Sequence, residues 1–206
     1  MDRILNTPGN PALSTEIILR LSRLAEYHDP DISSHLLRIG LYCQIVARYL
    51  GWPDKQVAII GNAGPMHDIG KIGIPENILF KPGPLTSSEY ELAKIHTTIG
   101  GEILSGSESP LLQMAERIAL THHERWDGTG YPERLAGETI PIEGRIVSVV
   151  DVFDALVGTR SYKEPLPVDK SVEVLREHSG KHFDPAIVDA FVKNLDKILK
   201  VYEDIF

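Results

Sequence analysis

Five of the eight histidines fall in settings that suit metal ligation: His35, His67, His96, His122 and His123. Asp68, next to His67, and Asp151 join them. Imidazole and carboxylate together suit divalent transition ions such as iron, manganese, zinc or nickel. His67-Asp68 falls where a helix is expected to end. Neighbouring side chains there can diverge around one ion, or let the aspartate bridge two. His122-His123 also falls at an expected helix end, where consecutive ligands can both turn inward. His35 and Asp151 fall within apolar helical stretches, where a polar group is costly unless it is paired.

Each of these residues alone has a plainer explanation. A single histidine on an apolar helix face, as His35 or His96 would be, is usually a hydrogen-bonded core residue. Asp151 alone fits a cap or a buried ion-pair partner, and His122-His123 alone fits a surface pair. Burying them all without partners would be prohibitive. A shared metal centre accounts for the set. His28, His178 and His182 lack such company and suit surface or capping roles.

The elements that must position these residues read as helices. Ser14 or Thr15 can cap a first helix to about Glu26, with Ile17, Ile18, Leu21 and Leu24 on one face. A second runs from Ile32 to Leu50 and stops at Gly51, with Pro53 beyond. Asp54 is placed as the N-cap of a third, which runs towards Asp68 and is broken by Gly70 and Gly73. Ile74 to Thr86 reads as loop with a short helix. Thr86-Ser87-Ser88-Glu89 is a capping-box pattern opening a helix past His96 towards Ser105. Pro110 opens another that reaches His122 or His123. Trp126 to Pro141, dense in Gly and Pro, reads as loop. Glu143 to Leu156 is largely apolar and fits a buried strand or helix by periodicity; helix is chosen because no partner strand is evident. Val168–His178 and Pro185–Tyr202 are expected as closing amphipathic helices, the second capped by Asp184 with Pro185 at its first position.

The chain has 206 residues, 42% of them hydrophobic and 24% charged, which suits one globular domain. The expectation is a single compact all-α domain over residues 14–206, preceded by a flexible N-terminal tail over 1–13. The net charge of -8 argues against long nucleic acids, which need a basic face. A small anionic ligand stays open, because bound metal cations can reverse the local charge. The one cysteine, Cys43, excludes a disulfide scaffold and reads as a buried structural thiol. The opening MDRILNTPGNP has no signal-peptide pattern, and no stretch approaches about 18 consecutive apolar residues. No membrane span is expected, and the default location is the cytoplasm.

Two longer motifs are now recognisable. His67-Asp68-Ile69-Gly70-Lys71-Ile72-Gly73-Ile74-Pro75 resembles the HD signature of the HD superfamily of metal-dependent phosphohydrolases. His122-His123-Glu124-Arg125-Trp126-Asp127-Gly128-Thr129-Gly130-Tyr131-Pro132 resembles the long, specific motif of its HD-GYP subfamily. Leu135 to Pro141, Asp151-Val152-Phe153-Asp154-Ala155-Leu156 and Arg160-Ser161-Tyr162-Lys163 also fit. The resemblance runs from about residue 20 to about residue 195.

The resemblance implies an all-α HD-type domain and a centre of two divalent ions, iron or manganese, or three. It implies hydrolysis of a cyclic dinucleotide, cyclic di-GMP first, to linear pGpG or GMP by metal-activated hydroxide. Carried over by position, His35, His67, Asp68 and Asp151 hold one ion. His96, His122 and His123 hold a second, with Asp68 bridging. Asp31 stands where members with a third metal carry a glutamate. It shares a helix face with His35, and it also fits an N-cap. Asp68 and Lys71 are the catalytic candidates, Lys71 by placing a point charge on a phosphate oxygen. Gly128, Gly130 and Pro132 make a rigid turn. With Tyr131, this loop shapes the substrate pocket and offers a surface for a signalling-protein partner, or Tyr131 packs the loop. Arg160 and Lys163 are candidates for the second phosphate or a guanine edge; a surface ion pair is the plainer role. The alternatives are an HD-type hydrolase of another cyclic dinucleotide or a nucleotide monoester, a catalytically silent nucleotide- or partner-binding domain, and a purely structural helical module. Related proteins carry a receiver or sensory domain ahead of this one. The stretch before His35 is too short for one, so the chain is either freestanding or a piece of a longer protein.

Overall fold

Every long regular element among the described residues is a helix, as the 3.6-residue spacing of apolar positions dictates. The computed structural model describes residues 11–25, 27, 31–158 and 165–205. In chain order these hold α1 (Pro11–Ala25), α2 (Ile32–Tyr49), α3 (Asp54–Ala63), α4 (Glu76–Leu79), α5 (Ser87–Lys94), α6 (His96–Leu104) and α7 (Pro110–Thr121). After the long loop come α8 (Ile142–Val157), α9 (Val168–Glu177), α10 (Pro185–Lys193) and α11 (Leu195–Asp204).

Local chemistry sets several ends as expected. The Thr86 hydroxyl accepts from Glu89 N, and the Glu89 carboxylate accepts from Thr86 N at 2.7 Å, a capping box that opens α5. Asp184 accepts from Ala186 N at 2.8 Å and opens α10, with Pro185 in the first turn. The apolar stretch 143–156 is helical, inside α8.

Other boundaries differ, each for a physical reason. α1 starts at Pro11, inside the span expected as a tail; residues 1–10 lie outside the described residues. Ile17, Leu21 and Leu24 are exposed, while Ser22 and Ala25 meet the body of the protein. Pro53, not Asp54, precedes the first helical residue of α3. That helix ends at Ala63 rather than near Asp68, since Pro65 has no N–H to continue the ladder. The chain tightens there into a 3-10 turn over Gly64–Met66, and a second covers Ile69–Gly73. The helix expected from Thr86 to Ser105 breaks at Ile95 into α5 and α6. The closing helix expected over 185–202 breaks at Asn194, whose Nδ2 donates to Ala190 O at 2.9 Å.

The core joins Ile39, Tyr42, Cys43 and Val46 of α2 to Ile118 of α7, Ile146, Val150 and Phe153 of α8, and Phe191 of α10. A fully buried side chain of this size contributes about 1.5–3 kcal/mol. Cys43 lies wholly inside this cluster, and burial pushes its thiol well above the ordinary range. This packing sets α2 against α8 and α3 against α7, and so fixes the walls of the site. No helix among the described residues is long and apolar enough to cross a membrane.

Candidate metal centre

Two groups of ligand-type side chains meet between these helices. Asp68, His96, His122 and His123 form one, and His35, His67 and Asp151 the other. Within each group the candidate ligand atoms all lie within 4.8 Å of one another. Asp68 sits between the groups. Its Oδ2 is 3.2 Å from His67 Nε2, and its Oδ1 is 3.3 Å from His96 Nε2 and 3.6 Å from His122 Nε2. Asp151 Oδ1 lies 3.7 Å from both His35 Nε2 and His67 Nε2. All seven candidates are thus gathered at one place. His35 stands in the first turn of α2 and Asp151 in the middle of α8; the others sit at helix ends and tight turns.

Three of the rings are oriented from behind by main-chain carbonyls. Nδ1 of His67 donates to Gly64 O at 3.0 Å, and Nδ1 of His96 to Ala93 O at 2.7 Å. Nδ1 of His122 donates to Ile118 O and Ala119 O, both at 3.1 Å. A carbonyl can only accept, so the proton is on Nδ1, and the neutral ring presents the Nε2 lone pair inward. Burial lowers the pKa of His122, and burial with the charge of His122 lowers that of His123 much further, which favours the neutral, ligating form. Burial opposes charge on Asp68, but Lys71 and His67 outweigh it and hold the carboxyl well below its ordinary value.

This donor set fits divalent cations. Neutral imidazole lone pairs converge on a carboxylate whose Oδ1 is buried without a hydrogen-bond donor. Such an array is repulsive without a cation between its members and favourable with one. The cluster could therefore hold metal ions.

The lip of the centre carries Lys71, whose Nζ is 2.6 Å from Asp68 Oδ2. Gly70 lets this turn approach α6: a Cβ there would lie 1.9 Å from His96 O and 2.4 Å from Gly100 N. The Tyr131 ring stacks on His123 at 4.8 Å between centroids and meets Tyr90 edge-on at 6.5 Å. Gly130 permits this, because a Cβ would sit 2.4 Å from Arg125 N and 2.6 Å from Glu124 Cα. The Tyr131-Pro132 peptide is cis. Asp31 lies at the start of α2 but its side chain makes no capping bond. Its carboxylate accepts from Arg38 Nη2 at 2.9 Å, and it belongs to neither ligand group. Arg160, Lys163 and His28 lie outside the described residues. His178 Nδ1 donates to Val174 O at the end of α9, whereas His182 is half-buried on Phe183 rather than on the surface.

Three buried residues near the centre carry weight that the sequence reading did not give them. Asp154 accepts from His35 Nδ1 at 2.8 Å and from Arg38 Nε at 2.7 Å. Both were findable by helical spacing, since Asp154 is three residues after Asp151 and Arg38 three after His35. Glu124 accepts from Glu133 N at 2.7 Å, which ties the loop after Gly130 to the end of α7. Its place beside two histidines gave no signal of that role.

Comparison with known proteins places this arrangement. Residues 20–187 match the family described as HD domain. A Thermotoga maritima protein named cyclic di-GMP phosphodiesterase is 48% identical over 187 residues, covering 91% of this chain and 51% of its own length. A Vibrio cholerae protein named 3'3'-cGAMP-specific phosphodiesterase 2 is 41% identical over 188 residues, covering 91% of this chain and 36% of its own length. The chain thus spans about half, or less, of these relatives. The crystal structure of a cyclic GMP-AMP-specific phosphodiesterase from V. cholerae superposes with a TM-score of 0.66 at 18% identity, over 90% of this chain and 50% of that one, and supports the fold.

Proposed function

The chain belongs to the HD domain family, in its HD-GYP branch, and from that premise we propose that it hydrolyses a cyclic dinucleotide, with cyclic di-GMP the first candidate. One observation carries this: His96 and His122, from two different elements, bring their Nε2 atoms to the buried, donor-free Oδ1 of Asp68. Two ions, iron or manganese, would be held by His35, His67, Asp68 and Asp151 and by Asp68, His96, His122 and His123. When bound, such ions acidify a water and neutralise charge on phosphoryl oxygens. The engagement of Asp31 with Arg38 supports a count of two rather than three.

The residues of the chain would supply the rest. Asp68 faces both ligand groups and so fixes the spacing of the centre. Lys71 is close enough to the centre to meet a phosphate oxygen as a point charge. Tyr131 covers His123 and narrows the approach for substrate. Arg160 and Lys163 are candidates for a second phosphate or a guanine edge. In the reaction, water adds at phosphorus and one ester P–O bond breaks, which opens the ring to linear pGpG. A second hydrolysis of the same kind would give GMP. A partner protein reading the Gly130-Tyr131-Pro132 loop belongs to the same proposal.

The 41% identity with a relative named for 3'3'-cGAMP favours a second reading, in which the mixed dinucleotide is preferred. The experiment is elemental analysis of anaerobically prepared protein, with turnover of cyclic di-GMP and 3'3'-cGAMP on the same sample. Two Fe or Mn per chain with linear dinucleotide formed is the expected result, and the faster substrate decides between the readings. A loaded centre that cleaves neither would overturn the hydrolase assignment, and absence of metal under all loading conditions would overturn the centre.

A further inference from the structure

The histidines of the centre are not all held in the same way. His67, His96 and His122 lean on main-chain carbonyls. His35 leans on a carboxylate, Asp154 Oδ2, at 2.8 Å. That carboxylate is 2% exposed and is gripped at both oxygens by Arg38, Nε to Oδ1 at 2.7 Å and Nη2 to Oδ2 at 2.9 Å. Arg38 is itself 2% exposed. Its Nη2 also reaches Asp31 at 2.9 Å, and its guanidinium lies 5.5 Å from the centre of the Tyr202 ring of α11.

A buried ion pair is weak evidence for stability. Desolvation offsets most of its attraction, and apolar residues of equal volume often hold a fold as well. What distinguishes this pair is where it ends. His35 and Arg38 are three apart on α2, and Asp151 and Asp154 three apart on α8, so each helix offers one candidate ligand and one supporting residue on one face. Neither Arg38 nor Asp154 belongs to a ligand group.

The geometry points to Arg38 and Asp154 as positioning residues for the His35-His67-Asp151 half of the centre. Arg38 fixes the Asp154 carboxylate by a two-point fork, Asp154 accepts the Nδ1 proton of His35, and His35 is left with its Nε2 lone pair towards His67 and Asp151. An imidazole backed by a carboxylate is also a more basic ligand than one backed by a carbonyl. Loss of the pair therefore weakens one of two metal positions and spares the other. This rests on the metal-centre reading proposed above.

The test is Mn(II) titration of the whole chain and of its Arg38→Met, Arg38→Lys and Asp154→Asn variants. Bound Mn is counted by elemental analysis. Long-range nitrogen–proton NMR of the histidine rings in the chelated proteins reads the His35 tautomer. The unaltered chain should bind two Mn. In Arg38→Met and Asp154→Asn one of the two should weaken about 10- to 100-fold, the range for partners behind a ligand. The other should keep its affinity, and the His35 ring should lose its uniform Nδ1–H form. Arg38→Lys keeps the charge without the fork and should recover part of the loss. It and Asp154→Asn preserve volume, so the test survives if Arg38→Met does not fold. Two Mn bound at unchanged affinity in folded variants, or equal weakening of both, would overturn the positioning role alone. Failure of the unaltered chain to bind Mn would instead overturn the metal centre.

Discussion

The rings of the centre are backed in two ways: His67, His96 and His122 by main-chain carbonyls, and His35 by a carboxylate. His122 caps the end of α7, His96 follows the last turn of α5, and His67 follows a 3-10 turn. The last turns of a helix leave carbonyls without partners in the ladder. Ala93, Ile118, Ala119 and Gly64 supply the carbonyls to the Nδ1 atoms, and Ala93, Ile118 and Gly64 accept a main-chain N–H as well. His35 stands in the first turn of α2, where the groups left over are N–H donors. Behind its ring stands a carboxylate from α8 instead of a main-chain carbonyl. His67, His96 and His122 take their acceptors from three or four residues back in the chain, whereas His35 takes its acceptor from another helix, and that acceptor is itself held by Arg38.

Asp68 faces both groups, so Asp68→Ala should have the largest effect. Expected is loss of both metals and a fall in turnover beyond about 100-fold, the upper range for removing a supporting partner, with the helical circular dichroism kept. Retention of one ion would show that the halves are independent and break the comparison. Next comes Lys71→Ala, which removes the ammonium 2.6 Å from Asp68. Turnover should fall roughly 100-fold, as on loss of one charge-stabilising donor, with both metals still bound. Metal loss in that variant would give Lys71 a structural role. Smaller again is Gly70→Ala. Its Cβ would meet His96 O at 1.9 Å, so α6 must move. The cost should be about 1–3 kcal/mol in urea unfolding. The half holding His96 should lose metal affinity while the His35 half keeps it; equal weakening would sink the distinction.

How much of this could be read beforehand also differs between the halves. That the seven side chains would gather was legible, because groups that are costly to bury singly demand a common explanation. The helical class was legible from periodicity. The break at Ile95 was not, because apolar periodicity continues across it, and the one after Ala63 was marked only by Pro65 inside an otherwise periodic stretch. Ala93 O and Gly64 O, which back His96 and His67, lie at those breaks. The α1 face shows the converse failure. Ile17, Leu21 and Leu24 repeat at helical spacing yet are exposed, so the pattern gave the helix but not the side it buries. Arg38 and Asp154 were visible only as residues three along from ligand candidates, with nothing local to say that two helices would bring them together.

The smallest predicted effect separates the centre from the rest of the fold by pH. His182, stacked on Phe183 away from the ligand groups, is pushed by burial down to about 4 from an ordinary 6.5. His122 and His123 are also lowered, by burial. All three rings bind a proton less readily in the folded chain, so below pH 6.5 the unfolded chain takes up more protons than the folded one. Stability is full above that pH and falls as pH drops towards the folded values, near 4 for His182. Asp68 adds nothing in this window, since its lowered pKa acts only below the ordinary carboxylate value of 3.8. Urea unfolding of chelated protein at several pH values from 7.5 to 5, as a choice of conditions spanning roughly one unit either side of a histidine's usual 6.5, should show this decline. His182→Gln should remove only part of it, and the remainder belongs to the rings at the helix end. If His182→Gln abolished the decline entirely, those rings would not be held neutral by burial, and their carbonyl-backed geometry would have to be reconsidered.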